Sequence, residues 1–433
     1  MIIPHPHAAR TNAIVLLMTE GGTKVLSLLS FALMARGLSQ HAYGTVAFAF
    51  AVGSLFYIFF NFGLENHLVR EVRKRVLAHD AAGVQETVSA AAVLKIASVP
   101  VFIGVLLLVA WMLQWERTQM PIIVAVFVYF YLLSAAQLVF SFLRAFERMT
   151  IECGVRWIQG IAVFGAVAVY GYWRPDVRLL AWWYAGIAGM AVLMAMWLFA
   201  RITAIIPIIR LRIQRRALVL LGETKYLFLM GIAISVYSSS DVLIISRMLG
   251  VETVALYRNA VMITMALFMI PSAVVNGFFP QMIQCSERHE SFYATLRGLM
   301  VRLLTIGICM ACGLYLAAPV IIPLIFGHQY LAAIPLFRYS LIALLCTMMN
   351  YVLAHGMMAL GEYRAYFLYT AGAAMLSIGM NVLLLPKIGI LASVITMNTV
   401  HVLLTIVPAV HLWMHRARAR ACLGMTEMPS IGT

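Results

Sequence analysis

The chain is 433 residues long, 63% hydrophobic and only 11% charged, with a formal net charge of +15. So little charge cannot cover a water-exposed surface, which excludes a soluble globular fold and puts the chain in a bilayer. The positive excess lies in short connections between apolar runs, where it matches anionic lipid headgroups rather than nucleic acid.

At about 20 apolar residues per crossing, the sequence reads as an all-α integral membrane protein with about twelve transmembrane helices. The first six are expected over residues 13–35, 43–64, 88–111, 122–143, 154–172 and 179–200. The second six follow over 226–246, 255–279, 299–326, 336–360, 367–385 and 389–413. The start, with Pro4 and Pro6 and no small-residue cleavage site, carries no secretory signal pattern, so the first span is expected to be retained.

Basic segments at 70–75, 201–216, 288–302 and 416–420 alternate with outward connections that hold few cations. Most Lys and Arg therefore fall on the tails and the even-numbered connections, which predicts both termini in the cytoplasm of an inner-membrane protein. The expected organisation is a six-helix bundle at 1–200, a basic cytoplasmic linker at 201–225, a second six-helix bundle at 226–413 and a basic tail at 414–433. A weak repeat supports duplication: Ala35-Arg36-Gly37-Leu38 leading to Tyr43-Gly44 is echoed by Ser246-Arg247-Met248-Leu249 leading to Tyr257-Arg258. Two halves with one starting orientation imply a parallel pseudo-two-fold repeat, an arrangement of transporters that rock around a central cavity.

Glu20 and Lys24 lie four apart in the first span beside Gly21, Gly22 and Thr23, so they share a helix face. They either line a wet cavity or form a structural bridge. In the seventh span, Asp241 ends the polar run Tyr237-Ser238-Ser239-Ser240. It is either the first-choice coupling carboxylate or an anchor for Arg247 or Arg258 at the membrane surface. Arg258 opens the eighth span, where its guanidinium suits bidentate binding of a diphosphate or snorkels to the interface. Lys95, five residues before Pro100, either lines the cavity or snorkels inward. Asn276, Asn350, His355, Asn381, Asn398 and His401 either join helices by hydrogen bonds or, as the first expectation for each alone, serve in packing.

The six cysteines, Cys153, Cys285, Cys309, Cys312, Cys346 and Cys422, show no disulfide framework, and Cys309 and Cys312 read as small packing residues despite their CxxC spacing. The sequence has no Walker P-loop, zinc-ligand spacing or nucleophile elbow. No cofactor and no enzymatic chemistry are therefore expected, and transport would draw on a gradient or the membrane potential.

Ala35-Arg36-Gly37-Leu38 with Tyr43-Gly44, then Phe62-Gly63-Leu64 and Arg70, resemble the opening of bacterial polysaccharide-unit flippases, the Wzx or polysaccharide-transporter branch. Asp241 through Leu249-Gly250, Tyr257-Arg258-Asn259-Ala260, Pro271 and Phe279-Pro280-Gln281 resemble the stretch after that family's midpoint. The resemblance implies a fold shared with multidrug and toxin extruders and lipid II flippases. It also implies flipping of an undecaprenyl-diphosphate-linked oligosaccharide for O-antigen, capsule or exopolysaccharide synthesis, next to a polysaccharide polymerase or export complex. Lys24, Arg258 and Lys95 then match the cationic cavity that would hold the diphosphate, with Glu20 or Asp241 taking up a proton or sodium. Lipid II flippases typically carry fourteen helices, and too few residues follow 413 for two more. A cation-coupled multidrug extruder of the same fold is the alternative; a membrane polysaccharide polymerase or ligase fits less well, since every outward loop is short.

Overall fold

The computed structural model describes residues 6–61, 63–113, 120–173, 176–203, 205, 211–285 and 289–426; Phe62 of the first motif lies outside them. The described residues form fourteen α-helices and one short 3₁₀ turn, and contain no strand. In chain order these are α1 (Pro6–Gly37), α2 (Gln40–Asn61), α3 (Leu64–Leu77), α4 (Ala81–Leu113), α5 (Met120–Ala145), α6 (Met149–Trp173) and α7 (Val177–Thr203). Next come α8 (Leu211–Leu249), α9 (Val251–Leu267), α10 (Met269–Cys285), α11 (His289–Phe326), the 3₁₀ turn His328–Tyr330, α12 (Ala333–Ala359), α13 (Tyr363–Ile388) and α14 (Leu391–Thr426).

Among the described residues, 11 segments are long and apolar enough to cross a membrane, with α9 and α10 together making one of them. The 32-residue α1 adds one more, giving about twelve crossings. The protein is therefore an all-α, multi-pass membrane protein.

Three expectations change at element boundaries. The connection expected at 65–87 is mostly helical: α3 buries Leu64, Leu68 and Val72 on one face and exposes Arg70 and Lys74 on the other. The basic linker 201–225 is helical from Leu211, because its Leu, Arg, Gln and Ala residues are good helix formers and simply extend α8. The eighth span is broken at Phe268, since Pro271 has no N–H for the Leu267 carbonyl and its ring crowds that oxygen.

Several turns are tight. At Phe146–Arg148 the Arg148 N–H reaches back to Leu143 (2.8 Å) and the Glu147 N–H to Arg144 (3.0 Å), with Glu147 at φ 59°. This double bond pattern closes a helix C-terminus in three residues. It carries α5 and α6 further into the turn than apolar counting predicts.

By contacts the chain divides into two compact units, one of Met1–Asn259 with Pro323–Tyr330, the other of Ala260–Ile322 with Leu331–Thr433. In the first, α1 packs on α6, α2 on α8 and α5, and α5 on α7. A shared core gathers Leu68, Val72, Ala91, Phe142, Val155, Phe199 and Leu220. In the second, α14 packs on α12 and α13. Polar side chains bind these helices together: Asn398 accepts from the Ala343 N–H (3.1 Å) and donates to the Tyr339 carbonyl (2.9 Å). His401 meets Thr347 (3.1 Å), and Ser393 donates to Asn381 (2.6 Å). Asn381, Asn398 and His401 thus join helices rather than merely pack, whereas His355 bonds within its own helix, to Tyr351. Cys309 and Cys312 are exposed rather than packed.

Candidate functional site

All five sequence-predicted site residues fall in the first unit, and the structure distributes them over three places. Glu20 and Lys24 lie where α1 meets α6. The glycine run of α1 makes that approach possible: a Cβ on Gly22 would collide with the Trp157 ring, and one on Gly160 would press on Leu26 (3.1 Å). With the helices this close, Glu20 faces Arg156 at 3.9 Å, and Lys24, exposed one turn on, lies in electrostatic reach of Glu20.

Behind Glu20 stands a cluster absent from the sequence-based candidates. Arg156 donates from Nε to Glu152 (3.0 Å) and from Nη2 to Gln137 of α5 (3.1 Å). Arg144 grips the same Glu152 with both branches, Nε to Oε2 at 2.7 Å and Nη2 to Oε1 at 2.5 Å. One carboxylate therefore bridges two guanidiniums, in the geometry that gives the strongest charged hydrogen bonds. Next to it, Glu65 of α3 accepts from Tyr57 (3.1 Å) and Asn61, and it acts electrostatically on Arg144. The arrangement is graded: the Glu152 side chain is 0% exposed, Arg156 15%, Arg144 16% and Glu20 41%. The three carboxylates and the three cations, Lys24 included, balance formally, so the buried charges cost less than they would alone.

By charge pattern alone, Arg144 and Arg156 belong with the basic residues around the connection between the fourth and fifth spans, where they read as topology charges. The i,i+4 spacing of Glu152 and Arg156 was visible. What hid the site was the turn, which is three residues long and leaves all these groups on helices.

Lys95 is engaged elsewhere. Its Nζ donates to the Phe60 carbonyl (3.0 Å) and to Ser134, and it rests 4.2 Å from the centre of the Tyr131 ring. Phe60 is one residue from the end of α2, where carbonyls lack helical partners, so Lys95 caps that helix from α4.

Asp241 and Arg258 meet at a third place. Asp241 is buried and accepts from the hydroxyl of Tyr257 and the N–H of Val242 (2.8 Å). Arg258 acts electrostatically on Asp241, Tyr257 and Tyr43. Tyr43 donates to Asn259 (2.6 Å) and packs edge-on against Tyr330, ring centres 6.0 Å apart. The two tyrosines of the sequence repeat are thus both fully buried, and both are tied to this one region.

The first motif has a mechanical meaning here. Arg36 donates to the carbonyls of Pro323 (3.4 Å), Leu324 and Ile325 (3.0 Å) at the end of α11. Gln329 returns a bond to the Ala35 carbonyl (2.6 Å), so two helix ends cap each other. Gly44 lets α2 approach the start of α9, where a Cβ would lie 2.7 Å from the Val251 carbonyl carbon.

The model of the polysaccharide biosynthesis protein family matches residues 9–286. No curated protein sequence matches the chain. Among solved structures, an inward-facing multidrug resistance MATE family transporter of the MOP superfamily is 14% identical, with a TM-score of 0.76, covering 94% of this chain and 99% of its own. The lipid II flippase MurJ, in an inward closed conformation, is 11% identical with a TM-score of 0.71, covering 96% and 94%. A MOP superfamily transporter from Pyrococcus furiosus, described as having a binding pocket of reverse polarity, is 14% identical with a TM-score of 0.67, covering 95% of each chain. At such identities the likeness shows the fold, which is that of MOP transporters. With the family model covering well over half of its length, the chain belongs to the polysaccharide biosynthesis protein family of membrane transporters.

Proposed function

We propose that the protein flips undecaprenyl-diphosphate-linked oligosaccharide units from the cytoplasmic to the periplasmic leaflet of a bacterial inner membrane by alternating access. Membership of a polysaccharide biosynthesis family supports the substrate class. The observation that carries the reading is the graded ion cluster of α1, α5 and α6, with Lys24 and Glu20 at its open edge and two guanidiniums behind them.

A diphosphate is a better partner for a guanidinium than a carboxylate at 3.9 Å, because it offers more oxygens and more charge. On this reading the headgroup takes Arg156 from Glu20 and binds Lys24, and the displaced Glu20 becomes free to take up a proton. Proton uptake and release at that carboxylate would link substrate exchange to the ion gradient. Arg258 and Asp241 form a second charged station in the same unit, and Lys95 holds α2, α4 and α5 in place.

Deleting the protein should make complete lipid-linked units accumulate on the cytoplasmic face, read with a glycan-specific lectin on sealed inverted vesicles. Unchanged sidedness, together with drug sensitivity of the deletion strain, would instead indicate the multidrug extruder. Within the flippase reading, Lys24→Ala combined with Arg156→Gln should lower flipping by about ten- to a hundredfold, from the loss of charged contacts worth roughly 1.5–3 kcal/mol together. Wild-type rates in that variant would remove the cluster from the mechanism.

A further inference from the structure

The second unit carries a groove of about 320 Å³ between α11, α12 and α14 that the transport reading does not use. Its wall on α11 is a single helical stripe, Tyr293, Arg297, Met300 and Leu304, in which the polar residues come first and the apolar ones follow. On α14 the order is reversed: Ala409 and Leu412 precede Trp413 and Arg416. The two arginines therefore stand at the same end, and the apolar residues of both helices, with Met349 and Leu353 of α12, form the trough below them.

The cationic end is built rather than incidental. The Arg416 guanidinium lies over the Tyr293 ring, 5.3 Å from its centre, and the Tyr293 hydroxyl meets His415 Nδ1 at 3.0 Å. Trp413 is 69% exposed beside it, in the position of an interfacial anchor. A Cβ on Gly356 of α12 would touch the lining residues Leu296 (3.0 Å) and Leu412 (3.5 Å); without one, α11 and α14 both close onto α12.

We infer that this groove is a site for one anionic phospholipid of the cytoplasmic leaflet, its phosphodiester held between Arg297 and Arg416 and an acyl chain laid along Met300, Leu304, Met349 and Leu353. An apolar trough alone would accept any lipid, whereas two guanidiniums at its mouth select a negative headgroup. Both arginines belong to basic segments that the charge bias puts on the cytoplasmic side.

The test uses the full chain in bilayer nanodiscs and reads quenching of Trp413 fluorescence, isolated by subtracting the Trp413→Phe protein. The probes are brominated phosphatidylglycerol and brominated phosphatidylcholine of equal chain length at low mole fraction. Phosphatidylglycerol should be preferred by about thirtyfold, given two arginines at roughly 1 kcal/mol per basic residue near a headgroup. Arg297→Gln with Arg416→Gln should abolish the preference, and Arg297→Lys with Arg416→Lys should largely restore it. Equal quenching by the two lipids, or a preference that survives the glutamine pair, overturns the site. Displacement by undecaprenyl phosphate but not by unlabelled phosphatidylglycerol also overturns it, and assigns the groove to the transported lipid. If the glutamine pair does not fold, Leu304→Phe, which fills the trough and keeps both charges, must weaken quenching by phosphatidylglycerol.

Discussion

Glu152 is the residue whose removal should cost most. Its carboxylate is completely buried and holds Arg144 and Arg156 together, so Glu152→Ala strands two guanidiniums. We expect a loss of about 3–5 kcal/mol, seen as a lower unfolding temperature of the purified protein. Arg144→Ala added to it should cost much less than it does alone, because the stranded charge is then gone. Asp241 tests differently. Asp241→Asn keeps the shape and an acceptor for Tyr257, so folding should survive; if the carboxylate couples ions, transport should lose its dependence on the pH gradient. Full, pH-gradient-dependent transport in that variant would leave Asp241 a purely structural partner of Tyr257. The sequence disclosed Glu20, Lys24, Lys95, Asp241 and Arg258 because a charge inside an apolar run is conspicuous. It concealed Arg144, Glu152 and Arg156, because charges at the end of an apolar run look like topology signals until the turn between the helices is known.

At the level of helices, legibility followed hydropathy. The apolar runs marked the spans, since a bilayer imposes its thickness on composition. Helices with weaker apolar content, α3 and the first half of α8, were read as connections, because their helicity comes from amphipathic packing and propensity rather than from bilayer length. The Tyr43-Gly44 motif was legible as a pattern and mute as to cause, which is the closeness of α2 to the α9 backbone. Gly44→Ala sets a methyl against the Val251 carbonyl, which is backbone and cannot swing away. A destabilisation of about 1–3 kcal/mol, measured by thermal unfolding in detergent, is expected from such overpacking. Gly37→Ala, which meets nothing within 4 Å, is the matched control.

On the scale of the whole molecule, many large apolar side chains are exposed among the described residues, Trp111, Leu193, Leu316, Met375 and Trp413 included. Such a surface is stable only in lipid, and the basic segments then fix which way it faces. The division into units by contacts falls at Asn259, later in the chain than the basic linker, and it includes one distant segment. That segment, Pro323–Tyr330, supplies the ring against Tyr43, the bond to the Ala35 carbonyl and the carbonyls that Arg36 caps. The first unit is thus completed by residues synthesised some sixty positions after its main stretch ends. A nascent chain released at Asn259 would leave the α1 terminus uncapped and one face of Tyr43 bare, so the two halves cannot mature one after the other like beads. We expect a fragment of residues 1–259 to be degraded in cells when expressed alone, and to be rescued by co-expression of 260–433, with protein abundance as the readout. The interleaving makes completion of the first unit wait until residues 323–330 have been synthesised, so its last contacts form only after most of the chain exists.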